Sequence, residues 1–267
     1  MSRYADVHSH LSFPEFDADR DEVIARLGEA GVELLIDPGT DAVSSRRSVD
    51  LAAKHPFVYA NVGLHPGEVR SPVAPEQYDE LASLARADKV VGIGEIGLDY
   101  HWPDHDRDLQ LGAFREMLRM AISLDLPVVI HCRDAWHDML KVLSEERASN
   151  LRGAMHCFSG DLDIARRCIA LGLRISIPGT ITYKRSPLPE VVAAVGLGDL
   201  LSETDAPYLA PVPMRGKRNE PSYVVHTVRA IADSRPEPFE AVANALVDNA
   251  RALFGIPLRH SLLRQPS

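Results

Sequence analysis

The stretch DVHSHL, Asp6 to Leu11, sets two histidines one residue apart directly after the first apolar run. In a strand, alternate side chains share a face, so His8 and His10 point the same way, together with Asp6. Two imidazoles on one face begin a metal site, and the remaining ligands must come from elsewhere in the chain. Suitable residues recur at the ends of later apolar runs: His65 in VGLHPG, Glu95 in GIGEIGLDY, His131 in PVVIH, His156 in GAMHC and Asp205 in SETDAPY. A catalytic zinc ion takes three protein ligands and a water. His8, His10, Glu95, His131, His156 and Asp205 exceed that need and match two cations sharing one carboxylate. Paired cations of this kind suit in-line attack on phosphate. Each residue also has a plainer role open to it. A strand-end histidine can be a hydrogen-bonded structural group, Glu95 can pair with an arginine, and Asp205 can cap the next helix. What favours chemistry is that all of them fall at strand ends.

The elements that must position them follow a simple alternation. The β-type runs are YADVH, VELLID, FVYANVG, KVVGIGE, PVVIH, GAMHC, LRISI and LLSETD, and amphipathic segments lie between them. After Asp106, for example, Leu111, Phe114, Leu118 and Ile122 recur at helical spacing. Gly31 and Gly172 stand where helices should end before the next strand. Eight strands alternating with helices imply parallel βαβ units, which predicts an α/β fold: a TIM-type (β/α)8 barrel forming a single domain over 1–267. In such a barrel the C-terminal strand ends meet at one mouth. The alternative, an open doubly wound sheet, usually carries a glycine-rich phosphate loop after an early strand, and VHSHLSFPEF is no such loop. PSYVVHTVRAIA and PFEAVANALVDNARALF read as further helices.

The chain has 267 residues, 45% hydrophobic and 25% charged, the profile of an ordinary globular protein. No window approaches the roughly 20 apolar residues of a membrane span. The N-terminal stretch lacks the apolar core of a signal peptide, so a cytoplasmic location is expected. The formal charge of −9 argues against a broad surface coating nucleic acid. It is compatible with an enzyme that grips a few phosphates in a local cleft. Three scattered cysteines cannot make a disulfide framework, and Cys132, Cys157 and Cys168 read as small packing residues. His55, His101, His105, His137, His226 and His260 read as mostly surface residues.

Basic residues cluster after the eighth strand, in PVPMRGKRNEP, as Arg215, Lys217 and Arg218. Loops in this part of a barrel often bind phosphate. Arg133, Lys184 and Arg185 can extend the patch, and the arginine fork can hold two phosphate oxygens. A solvated loop or an arginine–Glu220 pair is the competing reading. Tyr100 and Trp102 can stack on a splayed base or simply fill the barrel rim.

Taken in order, DVHSHL, VGLHPG, GEIGLDY, PVVIHCRDA, HCFSG and SETDAPYL with RGKRNEPSYV resemble the TatD-type metal-dependent hydrolases, often called TatD DNases. NARALFG extends the likeness near the C-terminus. The resemblance implies a barrel with a divalent metal centre and cleavage of DNA, including 3′-to-5′ exonuclease action on single strands. It implies that His8, His10 and Asp205 hold one metal, that His131 and His156 hold the other, and that Glu95 bridges them. Asp205 resembles the residue that orients water and accepts its proton in the wider amidohydrolase superfamily. His65, Arg133, Arg215, Lys217 and Arg218 are the expected substrate contacts. Two divalent cations are expected, Mg²⁺ or Mn²⁺ supporting activity and Zn²⁺ or Ni²⁺ retained on purification. The expected partner is DNA, single-stranded or frayed at its ends, with no membrane and with a monomer or small homo-oligomer as the working unit. Hydrolysis of another ester or amide, such as D-aminoacyl-tRNA or a small cyclic amide, is the second hypothesis. A non-catalytic binding protein is the third, and the complete ligand set argues against it. The chain departs from the commonest family form at Ser9, Gly67, HWPDHDRD and LVDNA. None of these is a proposed ligand, but Gly67 and HWPDHDRD bear on the substrate rim.

Overall fold

The computed structural model describes residues 3–147 and 149–257, so His260 lies outside the described residues. Eight strands form one sheet in sequence order, each parallel to the next. They are β1 (Tyr4–Asp6), β2 (Val32–Pro38), β3 (Val58–Val62), β4 (Val90–Asp99), β5 (Val128–Arg133), β6 (Gly153–Met155), β7 (Leu173–Ile177) and β8 (Leu200–Ser202). Helices α1 (Arg20–Ala30), α2 (Ala42–Lys54), α3 (Pro75–Leu84), α4 (Arg107–Leu124), α5 (Trp136–Glu145), α6 (Leu162–Ala170) and α7 (Leu188–Ala194) make the seven crossovers. Helices α8 (Val224–Asp233) and α9 (Phe239–Phe254) follow β8. This is the expected TIM-type barrel. No helix among the described residues is long and apolar enough to cross a membrane.

Local signals behave as their chemistry requires. Gly31 closes α1 in the left-handed conformation at φ 82°. Asp106 caps α4 by accepting bonds from the backbone N–H groups of Asp108 and Leu109. Along β2, Leu35 packs with the helices, whereas Leu34 and Ile36 join Ala5, Val129, Ala154 and Leu201 in a second cluster. The period of two thus separates the helix-facing layer from the barrel interior. Val247, Ala250, Leu253 and Phe254 of α9 pack on that interior cluster. Asn249 ties α9 to the start of β8 by donating to the Leu197 and Leu200 carbonyls. The helix therefore plugs the end of the barrel opposite the ligand-bearing strand ends.

The structure corrects several boundaries: β1 ends at Asp6, β6 at Met155 and β8 at Ser202, short of the His8, His156 and Asp205 that the sequence places in those strands, whereas β4 runs longer. The sequence reading ends the fourth strand at Glu95, but β4 continues to Asp99. Its pairing with β5 slips between Ile93 and Ile96, around Glu95 itself. The glycines allow β4 to lie this close to its neighbour. A Cβ on Gly97, which sits at φ 143°, would lie 2.0 Å from the His131 carbonyl oxygen.

Barrel closure rests on a buried carboxylate. Val7 N–H donates to the Ser202 carbonyl (3.1 Å), and Ser202 Oγ donates to the Ala5 carbonyl (2.8 Å). Asp6 accepts bonds from Thr204 Oγ1 (2.6 Å), Thr204 N (3.0 Å) and His8 N (3.3 Å). Asp6 is fully buried and spent on this seam, so it is not a ligand. Asp6→Ala would strand three donors without water, at a cost of about 3 kcal/mol or more. A urea denaturation midpoint lowered accordingly is the expected result, and an unchanged midpoint would show that closure does not depend on Asp6.

Candidate metal centre

Backbone hydrogen bonds fix where each candidate ligand sits at the C-terminal mouth. Ser9 N–H donates to Ile36 O, His10 N–H to Ala206 O, Glu95 N–H to Gly39 O, His156 N–H to Ile130 O and Asp205 N–H to His8 O. These candidate segments are thus stitched to one another or to neighbouring strands.

The side chains converge on Glu95. Its Oε2 lies 3.3 Å from His8 Nε2 and 3.5 Å from His10 Nε2. Its Oε1 lies 2.9 Å from His131 Nδ1 and 3.5 Å from both His156 Nε2 and His65 Nε2. One carboxylate therefore faces two sets of imidazoles, one through each oxygen. Asp205 Oδ1 stands 3.6 Å from His10 Nε2 and 3.8 Å from His156 Nε2, within reach of both sets. The rings of His8 and His156 stack with centroids 3.4 Å apart.

These donors fit a cation. His8 Nε2 and His10 Nε2 lie 3.3 Å apart and both face the same Glu95 oxygen. Donors held about 2.0–2.1 Å from a tetrahedral zinc-like ion are separated by roughly 3.3–3.4 Å. The edges of this triangle match that spacing. His8, Glu95 and His156 are almost wholly buried, so the cluster is not a solvated patch of charge.

Electrostatics separates the candidate histidines into two kinds. Burial lowers His8, lowers His10 strongly and brings His65 down to about 4. Burial also opposes charge on His131 and His156. There, nearby carboxylates overcome it and hold the rings at about 9 and about 10: Asp99 and Glu95 for His131, Glu203 and Glu95 for His156. Those two rings must give up protons when a cation binds. Burial would raise Glu95, but His65, His156 and His8 keep it well below the usual carboxylate range. Asp205 is pushed up to about 7 by burial, with His156 opposing and Glu95 reinforcing the shift.

The family model of TatD-related DNases matches residues 5–255. The chain belongs to this family. It is 39% identical over 252 residues to YabD of Bacillus subtilis, described as an uncharacterized metal-dependent hydrolase, covering 94% of this chain and 98% of that one. It is 36% identical over 259 residues to the 3′-5′ ssDNA/RNA exonuclease TatD of Erwinia billingiae, covering 94% and 99%. The crystal structure of the TatD homologue YjjV from Escherichia coli superposes with a TM-score of 0.91 at 34% identity, covering 96% and 99%. The protein is a metal-dependent hydrolase of the TatD family.

Around this TatD-type cluster lie carboxylates that the sequence reading passed over. Glu203 Oε1 faces His156 Nδ1 at 2.9 Å, and Asp99 Oδ2 faces His131 Nε2 at 3.3 Å. Glu203 is fully buried and also accepts bonds from Ser176 Oγ and Cys157 N–H. Carboxylates placed behind histidine ligands set ring orientation and raise basicity. A signal for both was present in the sequence. Asp99 shares the strand period of β4 with Glu95, and Glu203 follows the end of β8 two residues before Asp205.

His65 belongs at the cluster but differs from its neighbours. Its Nδ1 accepts the Gly67 N–H at 2.9 Å, so the neutral ring carries its proton on Nε2, facing Glu95. That makes it a hydrogen-bond donor to whatever binds beside Glu95. A Cβ at residue 67 would lie 2.8 Å from this Nδ1, so Gly67 gives the ring its space.

The proposed substrate contacts divide. Arg133 and Arg215 line a cavity of about 830 Å³ that opens beside His131, His156 and Asp205, and Lys184 and Arg185 join them. Lys217 is exposed and does not line it. Arg218 forks onto Asp19 (2.8 and 2.6 Å), donates to the Glu15 carbonyl and covers the Phe16 ring. Its guanidinium thus holds loop to helix. The alternative Arg–Glu220 pair does exist, but it is made by Arg26 at 2.8 Å. Cys157 also lines the cavity, because strand alternation stops at Met155 and Cys157 takes φ 45°. Cys132 and Cys168 are buried, Cys168 as a packing residue and Cys132 beneath the same cavity. Among the described residues, His137 is the most exposed of the other histidines, whereas the side chain of His105 is buried near Trp102.

Glu203→Gln keeps the size of the side chain and removes the charge behind His156. The expected result is a 10- to 100-fold loss of cation affinity, in the range of about 10–100-fold seen for such partners, with the circular dichroism spectrum retained. Wild-type affinity in the variant would remove Glu203 from the metal centre.

Proposed function

We propose that this hydrolase trims single-stranded DNA from the 3′ end by two-cation hydrolysis of the terminal phosphodiester. The observation that carries the reading is the division of Glu95 between two imidazole sets. His8 and His10 with Glu95 Oε2 would hold one cation, and His131 and His156 with Glu95 Oε1 the other. Asp205 lies within reach of both. Such cations neutralise charge on phosphate and let water lose its proton near neutral pH.

The chain's own groups supply the rest. Asp205 faces the space between the two sets, where its free carboxylate oxygen can orient water and accept a proton. His65 Nε2–H is placed to donate to a phosphate oxygen. Arg133 and Arg215 stand in the adjoining cavity as counter-charges for the strand. Water adds to phosphorus, the P–O3′ bond breaks, and the shortened strand leaves with a protonated 3′ oxygen. The relative named a 3′-5′ ssDNA/RNA exonuclease supports both the substrate and the polarity. The mixed imidazole and carboxylate set suits Mn²⁺ or Zn²⁺ by softness. We assign catalysis to Mg²⁺ or Mn²⁺, with Zn²⁺ or Ni²⁺ as ions retained on purification.

The test is a gel assay of a single-stranded oligonucleotide labelled at its 5′ end, with Mg²⁺ or Mn²⁺. A ladder shortening from the 3′ end is expected, lost both in chelator and in Glu95→Ala. Intact DNA with both cations would reject the nuclease reading and move the search to other esters and amides.

A further inference from the structure

The cavity beside the metal centre has a composition that the proposed hydrolysis does not by itself require. The chain carries −9, yet Arg133, Lys184, Arg185 and Arg215 line this one cavity, and its sole carboxylate is Asp205 of the metal centre. Between these cations the wall is apolar: Phe158, Pro187, Leu188 and Leu209, with the rings of Tyr183 and Tyr208. Its volume lies within the roughly 300–1,000 Å³ of small-molecule sites. A cationic rim around an apolar, aromatic wall fits a ligand with an anionic group on a flat body.

The cavity is also one-sided. It is lined from the ends of β5 and β6 and from the segments after β7 and β8, and not from β1 to β4. A phosphate at the metal centre would therefore have a walled compartment on one flank only.

Tyr208 is the group best placed to meet a flat ligand there. It is 49% exposed, and with Leu209 and Val212 it makes one loop hold three of the five exposed large apolar side chains among the described residues. Its ring lies 6.3 Å from that of His10, at the edge of the metal centre. The exposure does not come from a loose loop. Tyr208 N–H donates to the Asp205 carbonyl (2.8 Å), and the Tyr208 carbonyl accepts from the buried Asn219 Nδ2 (2.6 Å). Tyr183 is placed differently, because Arg215 covers its ring at 4.2 Å and its hydroxyl donates to the Ala210 carbonyl.

We propose that this cavity is the binding site of the terminal nucleotide, with its base stacked on Tyr208 and its phosphate toward Arg133 and the metal centre. The inference rests on the nuclease reading and deepens it by naming the compartment of the departing nucleoside 5′-monophosphate. Stacking on an aromatic ring tolerates any base, so the site holds all four nucleotides.

The test is calorimetric titration of the cation-loaded enzyme with 2′-deoxyadenosine 5′-monophosphate and, separately, with inorganic phosphate. The nucleotide is expected to bind about tenfold more tightly than phosphate, the low end of a stacking contact. Tyr208→Ala removes that advantage and Tyr208→Phe keeps it, and a side chain this exposed is replaced without disturbing the core. Equal affinity for nucleotide and phosphate in the wild type overturns the proposal, as does an advantage that survives Tyr208→Ala. The two readings fail separately. An enzyme that trims DNA but shows no nucleotide advantage loses only the compartment. One that shows the Tyr208-dependent advantage but leaves DNA intact keeps the compartment and loses the exonuclease.

Discussion

The mouth of this barrel depends on the carboxylate of Glu95. Five imidazoles lie within 3.5 Å of its two oxygens, His8 and His10 on one and His65, His131 and His156 on the other. A carboxylate buried this deeply is tolerated only with partners of opposite charge or with cations. Burial disfavours charge on His8, His10 and His65, whereas carboxylates hold His131 and His156 at about 9 and about 10. Cations bound at Glu95 would satisfy the carboxylate and the surrounding ring nitrogens together. The surrounding design follows from this demand. The ligand backbones are stitched to neighbouring strands, Glu203 and Asp99 stand behind two of the rings, and Gly97 lets β4 lie against β5.

The barrel separates stability from chemistry. Helix α9 seals one end with Val247, Ala250, Leu253 and Phe254. The other end carries the candidate ligands, and the seam between β1 and β8 is held by Asp6 and Thr204. An acidic chain still offers an anion a place to bind, because the four cations of the cavity sit together beside the metal centre. Charge is positioned locally, against the sign of the whole.

Much of this was legible in the residues. The alternation of β runs with amphipathic segments gave eight parallel strands, since parallel neighbours need crossovers and crossovers need helices. The candidate ligands were visible because His and carboxylate residues recurred near strand ends that a barrel brings together. The end of β4 was not, because the Gly-rich run around Glu95 looks like a strand terminus while it serves close packing against β5. Asp99 was within reach of the period-two rule along β4, and Glu203, just past the end of β8, was hidden beside Asp205. Arg218 shows the limit of reading charge alone. Its partner Asp19 lies 199 residues earlier, and only the folded chain shows the pair. The apolar wall of the cavity comes from three separate segments and has no sequence signature.

The most direct test of the central claim is electron paramagnetic resonance of the Mn²⁺-loaded enzyme, read together with metal content per chain. Two Mn²⁺ per chain with an exchange-coupled spectrum are expected if one carboxylate joins two ions, and Glu95→Gln should abolish the coupling. A single ion per chain, or two ions that give independent spectra in the wild type, would contradict the bridging role of Glu95 and the two-cation centre built on it.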